Sequence, residues 1–345
     1  MVTRRVLNGE ARLRPTPKTN NLIGYVVTTV ANHYELGVNA LCGLTNHYHM
    51  RANDRDARMS DFERDCHSII AKLIKHTHGD EEESLWSPKQ TNEVRTVLPE
   101  DAIDQIAYIM SNPVKHGLVK EADSYPGLRA MWGDEPITFT RPKGFFRAIK
   151  WTPDTKTQSG RPKINWAETA TLTLARPKGF EDVPDNELRV RLRQACKAKE
   201  AEMRAAREAA GKGFLTRRKV TELDRHSRPA SQPEKGRLIP TIKCSNPKRR
   251  SELLERLRQW HRDYRDALAA WRDDRDVVFP FGTNKMRWLH GVNARPRRPE
   301  SATFVLGWPG EHLAGFAVRA PKYEPSISPR TVSLRTKPKL DERDA

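Results

Sequence analysis

Apolar and polar positions follow two rhythms along the first third of the chain, and each rhythm predicts an element. Residues 4–14 alternate loosely and stop at Pro15, which predicts a strand. Over residues 17–35, Leu22, Val26, Val27, Val30 and Tyr34 recur at helical spacing and Gly37 closes the run, predicting a helix. Residues 38–44 and a second run from His47 to about Asn53 predict two strands around a turn at Thr45-Asn46. Residues 60–75 carry Phe62, Cys66, Ile69, Ile70, Leu73 and Ile74 as one stripe, with Ser60 and Glu63 placed as a capping box. After a loop over 76–90 come a short strand at 93–97 and a helix at 99–111, started by Pro99 and stopped by Pro113. The order β-α-β-β-α-β-α predicts an α+β fold: a ferredoxin-like antiparallel sheet with helices on one face.

Past Gly133 the pattern changes. Residues 134–165 are rich in Pro, Lys and Thr and are expected to be a linker over the surface. Residues 188–210 and 251–273 predict two strongly charged helices, and 170–174 is strand-like. The second helix carries Leu254, Leu257, Trp260, Tyr264, Leu268 and Trp271 as one stripe, which needs a partner surface. The expected organisation is therefore 1–133, a linker at 134–165, a basic and mainly helical region at 166–294, and a Pro/Arg-rich, largely disordered tail at 295–345.

Composition narrows the function. Lys plus Arg number 62 and Asp plus Glu 44 in 345 residues, a formal charge of +18, which favours a polyanionic partner such as nucleic acid. No apolar run reaches the length of a membrane span, and the opening residues lead into no secretory leader. The four cysteines lie far apart, so a disulfide scaffold or cysteine zinc site is not expected, and a reducing cytoplasm is. No phosphate-binding G-x-x-x-x-G-K-[ST] loop is present, so ATP is not an expected partner.

Two short motifs carry chemistry. In Asn46-His47-Tyr48-His49, strand geometry sends His47 and His49 to one face, where paired imidazoles can begin a divalent-metal site. His76-Thr-His78 has the same spacing but lies at a helix end before an acidic run, and is expected to be a solvated pair. Tyr108 and Asn112 share one face of the last predicted helix. A tyrosine nucleophile beside a metal-polarised phosphate is a workable pair; two turn histidines and a core tyrosine are the plainer alternative.

Asn46-His47-Tyr48-His49, followed by Tyr108-Ile-Met-Ser-Asn-Pro-Val-Lys-His-Gly-Leu-Val119 and Tyr125-Pro-Gly127, resembles the HUH superfamily of single-strand tyrosine transposases, in particular its REP-associated branch. The resemblance spans residues 1–133, which it makes the catalytic domain. It implies His47 and His49 as ligands of Mg²⁺ or Mn²⁺, Tyr108 as nucleophile and Asn112 as a third polar ligand. It implies cleavage and rejoining of single-stranded DNA beside a hairpin through a 5′-phosphotyrosine, in a monomer or homodimer acting at the nucleoid. Three positions depart from the family pattern: Asn112 stands where an acid or Gln is usual, Tyr48 where a bulky apolar residue is usual, and Arg51 where an apolar strand residue is usual, marking Arg51 as a DNA contact or a frayed edge. The expected DNA contacts are Arg4 and Arg5, Arg51, and Lys115, His116, Lys120, Arg129 and Trp132 past the helix. The clusters at 217–219, 248–250 and 297–298 are expected to add phosphate contacts. Two other readings stay open: a catalytically inactive DNA-binding descendant, and a metal-dependent hydrolase that would not need Tyr108.

Overall fold

The computed structural model describes residues 1–79, 83–88, 91–149, 163–229 and 242–296. Its first elements are β1 (Val2–Arg5), α1 (Pro17–His33), β2 (Gly37–Gly43), β3 (His47–Asn53) and α2 (Met59–His78). Then come β4 (Asn92–Glu93), β5 (Arg95–Thr96), α3 (Pro99–Lys115), β6 (Arg129–Met131), β7 (Ile137–Thr140) and α4 (Phe145–Ile149). The remaining elements are β8 (Thr169–Leu172), α5 (Asp185–Ala209), α6 (Arg217–Thr221), β9 (Ile242–Lys243), α7 (Pro247–Asp273) and α8 (Asn284–His290). The expected tail from 297 onward lies outside the described residues.

The predicted hairpin forms the centre of an antiparallel sheet of order β4-β1-β3-β2-β6. β3 pairs with β1 on one side, setting Thr3 against His49 and Arg5 against His47, and with β2 on the other. Alternation along β3 sends Tyr48 and Met50 to one face and His47, His49 and Arg51 to the other. α1 and α2 pack together over the Tyr48 face, where the Tyr48 hydroxyl meets His67 Nε2 of α2 at 2.7 Å. α3 covers the opposite face, with the Tyr108 ring edge-on to His49 at 5.8 Å between centroids. The α+β antiparallel sheet is as expected; two helices share one face and the third crosses the other.

Several local expectations change. The first strand ends at Arg5, because Val6 bridges to Trp86, Asn8 adopts φ 55° and the buried Arg12 turns in to pair with Glu10 and Glu83. α2 starts on the Asp54 carboxylate, which accepts from Arg58 and Met59 N–H, in place of the Ser60–Glu63 capping box. It also runs through His76 and His78 to a left-handed Gly79, so this pair closes a helix instead of sitting in a loop. The strand expected at 93–97 is divided between β4 and β5, which belong to different sheets. Pro113 lies inside α3, two residues before its end at Lys115.

The expected linker is partly core. β7 pairs with β8, and the side chains of Phe139 and Phe145 are buried. Phe139 fills the space over Gly24, where a Cβ would overlap its ring, and Phe145 packs edge-on to Tyr25 at 5.6 Å. α5 lies along α3, with Leu188 and Leu192 in the same core and Cys196 O accepting from Ser111 Oγ at 3.2 Å. The stripe on α7 finds its partner in residues 277–294: Ala267, Phe279, Met286 and Val292 form a small separate core, and Trp260 Nε1 donates to Phe281 O at 3.0 Å. No helix among the described residues is long and apolar enough to cross a membrane.

Candidate active site

Central position in the sheet buries both histidines of the H-x-H motif, and their rings meet edge-on at 4.8 Å between centroids. Asn46 Nδ2 donates to Gly9 O, which fixes its amide so that Oδ1 faces His47 Nδ1 at 2.6 Å. An amide oxygen only accepts, so His47 Nδ1 carries the proton and Nε2 keeps its lone pair. His49 Nδ1 lies 2.8 Å from Thr3 Oγ1, its cross-strand neighbour, and its Nε2 is buried with no hydrogen-bond partner. Burial above all lowers both imidazoles, His47 well below 6.5 and His49 to about 3; His116 and the nearby Arg5 and Lys115 cations add to it. Both rings are therefore neutral at physiological pH, the form a metal requires.

α3 lays Tyr108, Asn112 and His116 over this strand at four-residue intervals. Tyr108 faces His49, and His116 meets His47 at 5.0 Å between ring centroids. Between them Asn112 is fully buried; its Nδ2 donates to Tyr108 O at 2.7 Å and its Oδ1 has no partner. Two imidazoles with oriented Nδ1 atoms and an orphaned amide oxygen fit a divalent cation that takes further oxygens from its substrate. Among the described residues, no group of three His, Cys, Asp or Glu side chains could hold a metal, so Asn112 is the remaining candidate for a third protein donor. Lys115 Nζ donates to the Tyr108 hydroxyl at 2.7 Å and lies 4.5 Å from that ring's centroid. Although His116 keeps an exposed edge, the protein packed round its ring, with Lys115, Arg5 and Arg207, lowers it to about 4.

The expected DNA contacts separate into two groups. Arg5, Lys115 and His116 border the imidazole pair on its open side, and Lys120 is exposed on the turn beyond, near Glu208 at 4.0 Å. The other four are engaged elsewhere. Arg51 is no frayed edge: it is buried on the central strand and bonds Asn39 Oδ1 and Thr96 Oγ1, where burial pushes it down to about 10. Arg129 pairs with Asp123 and donates to Met110 O. Trp132 is buried beneath Arg176 and Arg189, so it offers no free face to a base. Arg4, one residue from Arg5, points to the opposite face, over Trp86 at 5.7 Å.

Sequence reasoning missed three participants. Thr3 and Asn46 orient the imidazoles; Asn46 stood in the motif, but Thr3 becomes a neighbour only through the β1–β3 register. Arg207 arrives from the C-terminal region, and nothing local to it in the sequence signals the site.

No protein-family model matches the chain, and no curated protein matches it. Among solved structures, a REP-associated tyrosine transposase bound to a REP hairpin is similar over 48% of this chain and 90% of the other, at 22% identity and a TM-score of 0.29.

Proposed function

We propose that the chain is a divalent-metal-dependent tyrosine transferase that cleaves and rejoins single-stranded DNA, as its motif resemblance implies. The observation that supports this most strongly is the placement of Tyr108 against His49, whose buried Nε2 lacks a partner. A hydrolase using water would have no need of a tyrosine there. The substrate class is supported by charge: among the described residues, Arg5, Lys115 and Arg207 have no carboxylate partner, and all three bear on His116 beside the imidazole pair.

In this reading the Tyr108 oxygen attacks the phosphorus in line. The bond from phosphorus to the 3′ oxygen breaks, that oxygen leaves as a hydroxyl, and the 5′ phosphate stays on Tyr108. Lys115 holds the Tyr108 oxygen and offsets the charge that develops on it. Arg5 draws the backbone to the strand that carries the histidines. Mg²⁺ or Mn²⁺ held by His47 and His49, with Asn112 Oδ1 as the third candidate donor, would supply Lewis-acid charge at the phosphate oxygens. The phosphotyrosine keeps the energy of the phosphodiester, so a second 3′ hydroxyl reseals the strand without ATP. The test is a covalent adduct between labelled single-stranded hairpin DNA and the protein, dependent on metal and on Tyr108. Metal-dependent cleavage retained by Tyr108→Phe would favour the hydrolase; binding with no cleavage would favour an inactive descendant.

A further inference from the structure

The residues that close the C-terminal end of α3 come from the last turn of α5 and the segment that follows it. Arg207 Nη1 donates to Lys115 O at 3.2 Å, and Nη2 donates to Gly213 O at 2.7 Å. Leu215 N–H donates to Gly117 O at 2.8 Å. Gly117 has φ +68°, and a Cβ there would overlap the Arg207 guanidinium, so strap and turn are in direct contact. These bonds fix residues 213–215 beside the turn that carries Lys115 and His116.

Phe214 sits in the middle of this strap. It is partly exposed, and it is absent from the hydrophobic core that its neighbour Leu215 packs against. Its ring is backed by the Arg207 guanidinium at 5.3 Å. Exposed Arg217 and Lys219 follow it and, among the described residues, have no carboxylate partner. An aromatic ring held rigidly, backed by a cation and bordered by unpaired cations matches a nucleobase with its phosphates.

We propose that the 207–219 strap forms the second wall of the substrate site, with Phe214 as a stacking platform for a base of single-stranded DNA near the phosphate that Tyr108 attacks. This deepens the transferase reading and rests on it for the identity of the strand. It also gives the C-terminal region a role in substrate contact, and it supplies the aromatic face that buried Trp132 does not.

The test uses the full chain in EDTA, so that binding is read without cleavage. Anisotropy compares a fluorescein-labelled oligothymidine with a duplex of equal length. Phe214→Ala should weaken single-strand binding about tenfold and leave duplex binding unchanged, and Phe214→Trp should restore the affinity. Phe214→Leu keeps the apolar bulk without the π-face, so it should behave as Phe214→Ala with an unchanged melting temperature. A 5-iodouracil oligonucleotide should crosslink to the peptide containing Phe214. Equal single-strand affinity in Phe214→Leu, or an equal loss for duplex, would overturn the proposal. Wild-type adduct formation with Mn²⁺, run in parallel, separates the two readings. Adduct without a Phe214 effect removes the platform alone, and a Phe214 effect without adduct removes the tyrosine transfer alone.

Discussion

Lys115 Nζ donates a 2.7 Å hydrogen bond to the hydroxyl of Tyr108, seven residues earlier on the same helix. The contact exists because α3 continues through Pro113 to Lys115. Pro113 has no N–H to give to the Ile109 carbonyl, a loss that would favour a break. The Asn112 side chain secures the same turn by donating to Tyr108 O. A cation held on the nucleophile's oxygen acts where charge develops, so Lys115→Met is expected to slow adduct formation roughly 100-fold. Lys115→Arg should recover part of that rate. Single-turnover gel kinetics measure it, and an unchanged rate in Lys115→Met would remove Lys115 from the mechanism.

Thr3 and His49 form the second testable pair. Removing the hydroxyl with Thr3→Val frees the His49 ring to turn, and outer partners of this kind typically govern metal affinity by about 10–100-fold. Thr3→Val should therefore weaken Mn²⁺ binding by that order, while His49→Ala should abolish it. Isothermal titration of the free protein reads both, and identical affinities in wild type and Thr3→Val would show that the hydroxyl orients nothing.

The opposite face of the sheet sets an acid limit on stability. His67 Nε2 lies 2.7 Å from the Tyr48 hydroxyl, and burial first, then Arg4, lowers His67 from 6.5 to about 3. A folded-state value below the unfolded one means that stability is full above pH 6.5 and falls as the pH drops toward 3. The slope is on the order of 1 kcal/mol per pH unit for one such group. Melting temperature measured from pH 7 to 4 should fall, and His67→Phe should flatten that fall by one proton's share. A parallel slope in His67→Phe would show that His67 titrates normally.

Gly24 and Phe139 test how far the first core extends. A Cβ on Gly24 would overlap the Phe139 ring, so Gly24→Ala should cost ~1–3 kcal/mol in spite of the better helix propensity of Ala. Urea unfolding measures it, and a stabilised Gly24→Ala would return residues 137–149 to the role of a surface linker.

That pair also explains what the sequence could tell. β2, β3, α1 and α2 were legible because their apolar positions repeat at the period of the element that buries them, as Val26, Val27 and Val30 do on α1. The neighbourhood of His47 and His49 was legible because alternation along a strand puts both on one face, as they stand in β3. Phe139 was not, because its partner Gly24 lies on a helix far back in the chain and a Pro- and Lys-rich context hides a single buried ring. Arg51, marked by its departure from the family pattern, and Trp132, marked by its place just past α3, are both buried instead of exposed to DNA. Their partners Asn39, Thr96, Arg176 and Arg189 come together only in the folded sheet. Thr3 belongs to the same group, since only register puts it on His49.

Tyrosine transfer by Tyr108 is tested most directly by the covalent-adduct assay. Purified protein is mixed with Mg²⁺ or Mn²⁺ and labelled single-stranded hairpin oligonucleotides, taken from repeats flanking its own gene, and run on a denaturing gel. The expected result is a label-bearing protein band that vanishes with EDTA, with His47→Ala and with Tyr108→Phe. A band that survives Tyr108→Phe, or bound DNA that never becomes joined to the protein, would contradict the proposed chemistry.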